Sequence, residues 1–265
     1  IMFSQFVLFY FIPYLFPYFI TGESFFNDQY TPINKDAYVY VYNGFTSVGG
    51  FIYIFVLVPL TVWIFGKRYC SWFCACGNLA ETAGITKWGR KWVINNTPRG
   101  EKSIQLEIIQ ICFLILAIIF GFCIFLDTWK MITAANFISS WQYYHDLVVD
   151  LIFGALVGVG AYPFLGTRVW CRYGCPLAQL MKLTGKWTKS KAKIIANDKC
   201  IGTNLCTQIC PMGIDVASYA HKDKVPIMGE FGLLETPCIS CGGCVDICPV
   251  QALTFQTVLN PLKKY

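Results

Sequence analysis

The run Cys238-Ile239-Ser240-Cys241-Gly242-Gly243-Cys244-Val245-Asp246-Ile247-Cys248-Pro249 constrains this chain more than any other stretch. Its C-x2-C-x2-C-x3-C-P spacing is the ligand pattern of a cubane iron–sulfur cluster. Three thiolates at i, i+3 and i+6 in a Gly-containing loop wrap three irons of one cubane, and the fourth Cys of such a run usually reaches a second cluster. A second half is therefore required. It lies upstream as Cys200-Ile-Gly-Thr-Asn-Leu-Cys206-Thr-Gln-Ile-Cys210-Pro211, with Thr203 where the second Cys of the run would fall. Exchange of the fourth ligand assigns Cys238, Cys241, Cys244 and Cys210 to one 4Fe–4S cluster, and leaves Cys200, Cys206 and Cys248 for the other. With three thiolates the second centre is expected as a 3Fe–4S cluster, or as a 4Fe–4S cluster with an open position at Thr203 taking water, hydroxide or, less readily, the Thr203 hydroxyl. Zinc sites and disulfide frameworks also use Cys pairs, but four-ligand zinc sites rarely use so compact a run with a following Pro.

The rest of the chain is unlike a soluble iron–sulfur domain. Charged residues are 14% of the 265, against ~25% in ordinary soluble domains, while 55% are hydrophobic and mean hydropathy is +0.50. The apolar content is concentrated before residue 166, whereas the last hundred or so residues are rich in Lys and Cys. Two parts follow: a membrane helical domain over 1–185 and a two-cluster α+β domain over 186–265. Fourteen cysteines without secretion-type spacing need a compartment that keeps thiols reduced or metallated, so the Cys-rich part is expected in the cytoplasm. The net charge of +6 arises in the basic stretches 67–102 and 168–199, which flank apolar runs, and gives no reason to expect a nucleic-acid partner.

Four apolar runs, 1–20, 45–65, 104–126 and 147–165, are each long enough at ~1.5 Å per residue to approach a ~30 Å hydrocarbon layer. Ile1 opens the first without the basic head or small-residue cleavage site of a signal peptide, so it reads as a membrane helix kinked by Pro13 and Pro17. Cys112 and Cys123, inside the third run, read as buried small hydrophobes. An internal repeat ends the second and fourth runs: Gly66-x-Arg68-x-Cys70-x3-Cys74 and Gly166-x-Arg168-x2-Cys171-x3-Cys175. Two helices per repeat place both motifs on one membrane face, and the Lys and Arg excess makes that face cytoplasmic. Residues 182–199 read as a basic tether, and Ala252–Phe255 as a short closing strand. His145 beside Asp146 suits an interface, and His221 reads as solvated.

The combination of paired helices, the C-x3-C motifs, Trp170-Cys171-Arg-Tyr-Gly-Cys175-Pro-Leu, then Cys210-Pro-Met-Gly-Ile-Asp and the last Cys run resembles the membrane polyferredoxins of the NapH and NosR type. The resemblance implies four transmembrane helices as two parallel two-helix repeats and a C-terminal bacterial-type ferredoxin domain. It also implies electron passage between a quinol or cytoplasmic donor and a respiratory partner, in the bacterial inner membrane. Without the extra-membrane flavin domain of the NosR type, the pattern sits nearer NapH. Two departures stand out: Cys74-Ala75-Cys76-Gly77 replaces the family Pro and adds a thiol, and Thr203 replaces a Cys.

Two thiols at i and i+4 share a helix face, and a repeat can bring Cys70, Cys74, Cys171 and Cys175 to one membrane-boundary cluster, with Cys76 as an additional ligand. The alternative is unligated thiols or a redox-active pair. Arg68, Arg168 and Arg172 would either moderate thiolate charge there or anchor to lipid headgroups. The leading expectation is an electron-transfer subunit with membrane lipid, other subunits of a redox complex and a quinone as partners. A metal-reducing (copper) assembly or maintenance factor using the Cys74/Cys76 pair, whose soft thiolates select Cu(I), is the second expectation. A redox-sensing membrane regulator is the third.

Overall fold

The structure, a computed structural model, describes residues 48–72, 74, 77, 81, 86–131, 135–223 and 225–259. The first expected span, the loop after it, Cys76 and the side chains of His145 and Asp146 lie outside the described residues.

Helix α1 runs from Val48–Ile52 through a π-helical turn, Tyr53–Leu57, into Val58–Phe65. Pro59 lies just after the π-helical turn, inside the continuous helix, where its missing N–H interrupts the i→i−4 pattern. Gly66, at φ 68°, stops the helix, and the short α2, Arg68–Trp72, follows. The basic α3, Lys87–Asn96, leads to α4, Glu101–Thr128, whose Glu101 favourably faces the positive end of its own helix dipole. Over Glu101–Asp127 α4 is long and apolar enough to cross a membrane. Only 28% of its most apolar window is buried, whereas the core helix of a soluble domain is mostly covered. Among the described residues it is the one helix meeting both conditions, and Gly50–Phe65 is a shorter apolar helix. The expected fourth span is irregular: α5, Ala135–His145, passes into π-helical turns over Asp146–Val157, then the short pieces Gly158–Gly160 and Tyr162–Leu165. Cys112 is exposed on α4 and Cys123 half-buried, so neither is the buried thiol expected; the described protein leaves much of this helix uncovered.

After α6, Val169–Tyr173, and α7, Pro176–Trp187, the chain enters a three-stranded antiparallel sheet. Strand β1, Lys193–Ala196, is its centre; β4, Glu230–Gly232, and β5, Leu253–Gln256, flank it, with Ile194 opposite both Phe231 and Phe255. The pair β2, His221–Lys222, and β3, Val225–Pro226, forms a separate hairpin. Two short helices, α8, Leu205–Ile209, and α9, Gly243–Asp246, carry the Cys runs. The expected closing strand is β5. The expected basic tether over 182–199 is corrected: α7 is largely buried and β1 is the central strand, because Ile194 and Ala196 supply the alternating apolar face a sheet needs.

One buried core runs from Val58 and Val62 on α1, through Leu114 and Phe120 on α4 and Met181 on α7, to Ile194, Cys210, Cys238 and Leu253. The end of α1 is docked on the sheet region through its last carbonyls, Val62 O also accepting from Gly66 N at 2.9 Å. Ser190 Oγ donates to Val62 O at 2.7 Å and Lys191 N to Trp63 O at 3.2 Å. Gly66 lets the loops close together, since a Cβ there would meet Ser240 Oγ at 2.6 Å and Ala192 Cβ at 2.9 Å. Deeper in, Lys182 of α7 and Glu107 of α4 form an ion pair with both side chains mostly buried. Removing one partner of a buried pair costs ~3–5 kcal/mol, whereas an apolar replacement of both is often tolerated. Glu107→Leu should therefore lower the thermal midpoint of the detergent-solubilised protein sharply, and Glu107→Leu with Lys182→Met should recover most of it. An unchanged midpoint in the single variant would show the pair to be solvated.

Candidate iron–sulfur centres

Two cavities hold the predicted cysteines. The first is lined by Cys210, Cys238, Cys241 and Cys244 with Ile194, Met212, Ile214 and Phe231. Cys210 follows α8 and Cys244 lies on α9, so two short helices and the Cys238–Cys241 loop present four sulfurs to an apolar hollow. Backbone amides supply local polarity: Ser240 N donates to Cys238 Sγ at 3.4 Å. Burial pushes the Cys210 thiol up to about 11 and Cys238 to about 12, and raises Cys244 further. These thiols therefore keep their protons at neutral pH in the metal-free chain, and metal binding releases them. The second cavity is lined by Cys200, Cys206 and Cys248 with Thr203 and small apolar residues including Ala217 and Ala220. Ala252 N donates to Cys248 Sγ at 3.2 Å, and Thr203 is exposed. Among the described residues no three His, Cys, Asp or Glu side chains are grouped tightly enough to hold a single ion. Sulfurs set around a hollow rather than converging on a point fit a multi-iron cluster better than tetrahedral zinc.

The C-x3-C motifs are arranged differently. Cys74 and Cys171, from the two repeats, are hydrogen-bonded, which with burial holds the Cys74 thiol well above its ordinary range. Cys70 Sγ instead lies 4.0 Å from Met181 Sδ, and burial raises Cys70 to about 11. Cys175 is buried at the start of α7. Gln110, buried on α4, donates through Nε2 to Cys171 O at 2.9 Å and Cys175 O at 3.1 Å, fixing the second motif from the apolar helix. A polar residue within a long apolar run was the sequence signal for it.

Two of the three motif arginines, Arg168 and Arg172, are buried in protein rather than set as headgroup anchors. Arg168, 1% exposed, pairs with Glu81 and donates to Cys70 O. Arg172, 3% exposed, donates to Pro98 O at 2.7 Å, Leu165 O at 3.1 Å and Ser103 Oγ at 3.3 Å. Its Nη2 lies against Gly213, in the turn after Cys210. Arg68 stacks on Phe255 of β5 at 4.4 Å. Lys67, 1% exposed, has its charged form disfavoured by burial, with the Cys70 thiol the leading opposing influence.

Comparison with known proteins agrees with this geometry. A 4Fe-4S dicluster domain matches residues 199–253, and a 4Fe-4S binding domain matches 48–93 and 147–195, the segments that carry the C-x3-C motifs. An uncharacterized protein of Methanocaldococcus jannaschii is 22% identical over 209 residues, 79% of this chain and 72% of that protein. The ferredoxin-type protein NapH of Escherichia coli is 23% identical over 211 residues, 76% of this chain and 66% of that protein. A component of the ion-translocating oxidoreductase complex of Yersinia enterocolitica is 30% identical over 89 residues, 33% of this chain and 12% of that protein. No solved structure matches. The matched domains and relatives support an iron–sulfur electron-transfer protein similar to the polyferredoxins. Within that class the chain is NapH-like.

Among the described residues Arg172 has no carboxylate within ion-pair distance, and the Cys210 thiol is one of the groups that favours its charge. A buried cation beside a ligand favours the reduced, more negative state of the centre. Arg172→Gln should lower the midpoint potential of the centre lined by Cys210, followed by EPR during redox titration, while Arg172→Lys should retain most of the original value. Equal potentials in all three proteins would remove Arg172 from this role.

Proposed function

We propose that the chain is an integral-membrane electron-transfer subunit, with one 4Fe–4S cluster held by Cys210, Cys238, Cys241 and Cys244 and a second centre held by Cys200, Cys206 and Cys248. Each cluster, when bound, supplies one-electron transfer at a potential its surroundings adjust. The observation that carries the reading is a succession of thiols within electrostatic reach of one another. Cys241 of the first cavity responds to Arg168 and Glu81 beside the C-x3-C motifs, and Cys244 of the same cavity responds to Cys206 of the second. On this reading the first cavity is the nearer of the two to the C-x3-C motifs and hands electrons to or from the second. Arg168 bridges the step, donating to Cys70 O while sitting beside Cys171. A third cluster at Cys70, Cys74, Cys171 and Cys175 would extend the line toward a quinol; the Cys74–Cys171 contact and the 4Fe-4S binding domain match both favour it. The uncovered apolar surface of α4 and the basic α3 support a membrane setting with the iron–sulfur part on the cytoplasmic side. The donor and the recipient are, on this reading, a quinol or cytoplasmic reductant and a partner subunit of a respiratory complex.

Iron and acid-labile sulfide analysis with EPR of the purified protein tests the proposal. Cys210→Ala should disturb the centre of Cys238, Cys241 and Cys244 while sparing the other; loss confined to the Cys200 side would overturn the ligand assignment. Thiol labelling of intact cells should reach single cysteines engineered in 21–43 and fail near Lys189, and the reverse would invert the orientation.

One observation favours a second reading as a copper-reducing factor: the Cys70 thiol and Met181 thioether, 4.0 Å apart and both buried, are soft donors suited to Cu(I). Copper retained by the purified protein and lost in Met181→Leu would select it.

A further inference from the structure

Helix α3 carries three cations for which the described protein supplies no counter-charge. Lys87, Arg90 and Lys91 are exposed, and the segment Lys87–Asn96 contains no acid. Among the described residues no side-chain hydrogen bond or ion pair engages any of the three. At positions i, i+3 and i+4 they share one face, and the buried Gly89 marks the side turned to the protein. Like charges so spaced repel one another and weaken an isolated helix. The place of α3 is nevertheless fixed. Near its start Trp88 meets Tyr162 edge-on, with ring centroids 6.4 Å apart, and at its end Asn96 Nδ2 donates to Pro163 O at 2.5 Å. Both ends thus rest on the short piece Tyr162–Leu165, which closes the fourth apolar run. A helix of this length rises only about 15 Å, half of a hydrocarbon layer, so α3 lies over the end of that run instead of forming a span. Just beyond it, the buried Thr97 packs on Gly166, and α4 begins at Glu101. Apolar side chains are exposed on both neighbours, Phe164 on one and Ile104 and Ile108 on the other, and Trp88 is exposed beside the cations.

We propose that α3 is an in-plane helix that binds acidic phospholipid through Lys87, Arg90 and Lys91. The inference rests on the reading of the chain as an integral-membrane protein, and it names the lipid class that one surface of it selects. Two observations fix the occupant. The cations call for a partner of net negative charge, and the surface is continuous with the uncovered apolar side chains of α4, which a bilayer would cover. A zwitterionic headgroup carries its own cation beside its phosphate, whereas an acidic headgroup such as phosphatidylglycerol offers its charge uncompensated. Arg90 can meet a phosphate with two parallel N–H donors, and Lys87 and Lys91 act as point charges on either side of the same face. Trp88, an amphipathic ring exposed next to them, suits the depth at which headgroups meet hydrocarbon. Near an acidic membrane surface each such cation strengthens association about fivefold, and salt weakens the effect. The mutual repulsion of the three cations is relieved when the lipid is bound.

Native mass spectrometry of the full-length protein, purified with its clusters in a neutral detergent, tests this. Equal amounts of dioleoyl phosphatidylglycerol and dioleoyl phosphatidylcholine are added. The expected result is a preference for phosphatidylglycerol that falls by about tenfold or more in Lys87→Gln with Lys91→Gln. Lys87→Arg with Lys91→Arg should keep it, since the charge is kept. Removing the same charge from exposed positions of the iron–sulfur part, Lys199→Gln with Lys222→Gln, should leave the preference unchanged. Arg90→Gln, expected to weaken it about fivefold, serves if the double variant does not accumulate. Equal binding of the two lipids, or a preference untouched by the α3 substitutions, would overturn the inference. So would an equal loss in Lys199→Gln with Lys222→Gln, which would make the effect one of net charge. Displacement of phosphatidylglycerol by millimolar inorganic phosphate would also overturn it, by assigning the cations to a soluble anion. A protein that stays in the membrane through a carbonate wash but shows no preference would overturn this inference alone. Release by that wash would overturn the integral-membrane reading with it.

Discussion

The structure depends on how positive charge is buried at the junction between its two parts. Lys67, Arg168, Arg172 and Lys182 are all buried there, and the carboxylates that face them, Glu81 on Arg168 and Glu107 on Lys182, are only two among the described residues. Burying an uncompensated charge is costly, and neutral hydrogen bonds of the kind Arg172 makes to Pro98 O and Leu165 O offset only part of that cost. The thiols of Cys70, Cys171 and Cys210 lie within electrostatic reach of these cations and would supply further compensation if they bound metal as thiolates. Cation burial and thiol burial are therefore complementary. Each is unfavourable by itself, and each would lessen the penalty of the other if the thiols were ligated.

The same junction arranges the thiols in depth. The loop of Cys238 to Cys241 is pressed onto the end of α1 at Gly66, and Arg172 touches the turn after Cys210, so the first cavity is tied to both C-x3-C motifs. The second cavity, lined by Cys200, Cys206 and Cys248, has its Cys206 within electrostatic reach of Cys244 of the first. A chain whose parts were joined by a free tether would not hold this order, and the central place of β1 in the sheet explains why none exists between α7 and the first Cys run. The polar contacts of α4 serve the same end, since Gln110 and Glu107 fix the second motif and α7 from within an otherwise apolar helix.

What was legible in the sequence was whatever depends on short spacing. The two Cys runs, the closing strand after Cys248, the long apolar α4 and the C-x3-C repeat could be read because each is specified within a few residues of itself. The first cavity contains the four cysteines that ligand exchange between the runs would bring together. The tether reading failed because Lys and Arg dominate the composition of 182–199, while burial there is decided by the alternate positions Ile194 and Ala196. For the arginines the sequence left two roles open, moderating thiolate charge or anchoring to headgroups, because a basic residue at the end of an apolar run looks the same whether its head meets phosphate or a protein carboxylate such as Glu81.

The sequence by itself determined the chemistry, because thiolate spacing of this kind admits few cofactors, and it determined that a large apolar part accompanies it. Only the tertiary structure decided which distant groups meet. That Cys74 faces Cys171 while Cys70 faces Met181, and that Arg172 reaches the turn of Cys210, are pairings of residues between about 40 and 110 positions apart. The periodicity of helices and strands carries no information about such pairings. They are set by how the end of α1, α4 and α7 pack into one core with the sheet, and by which small residues let side chains approach.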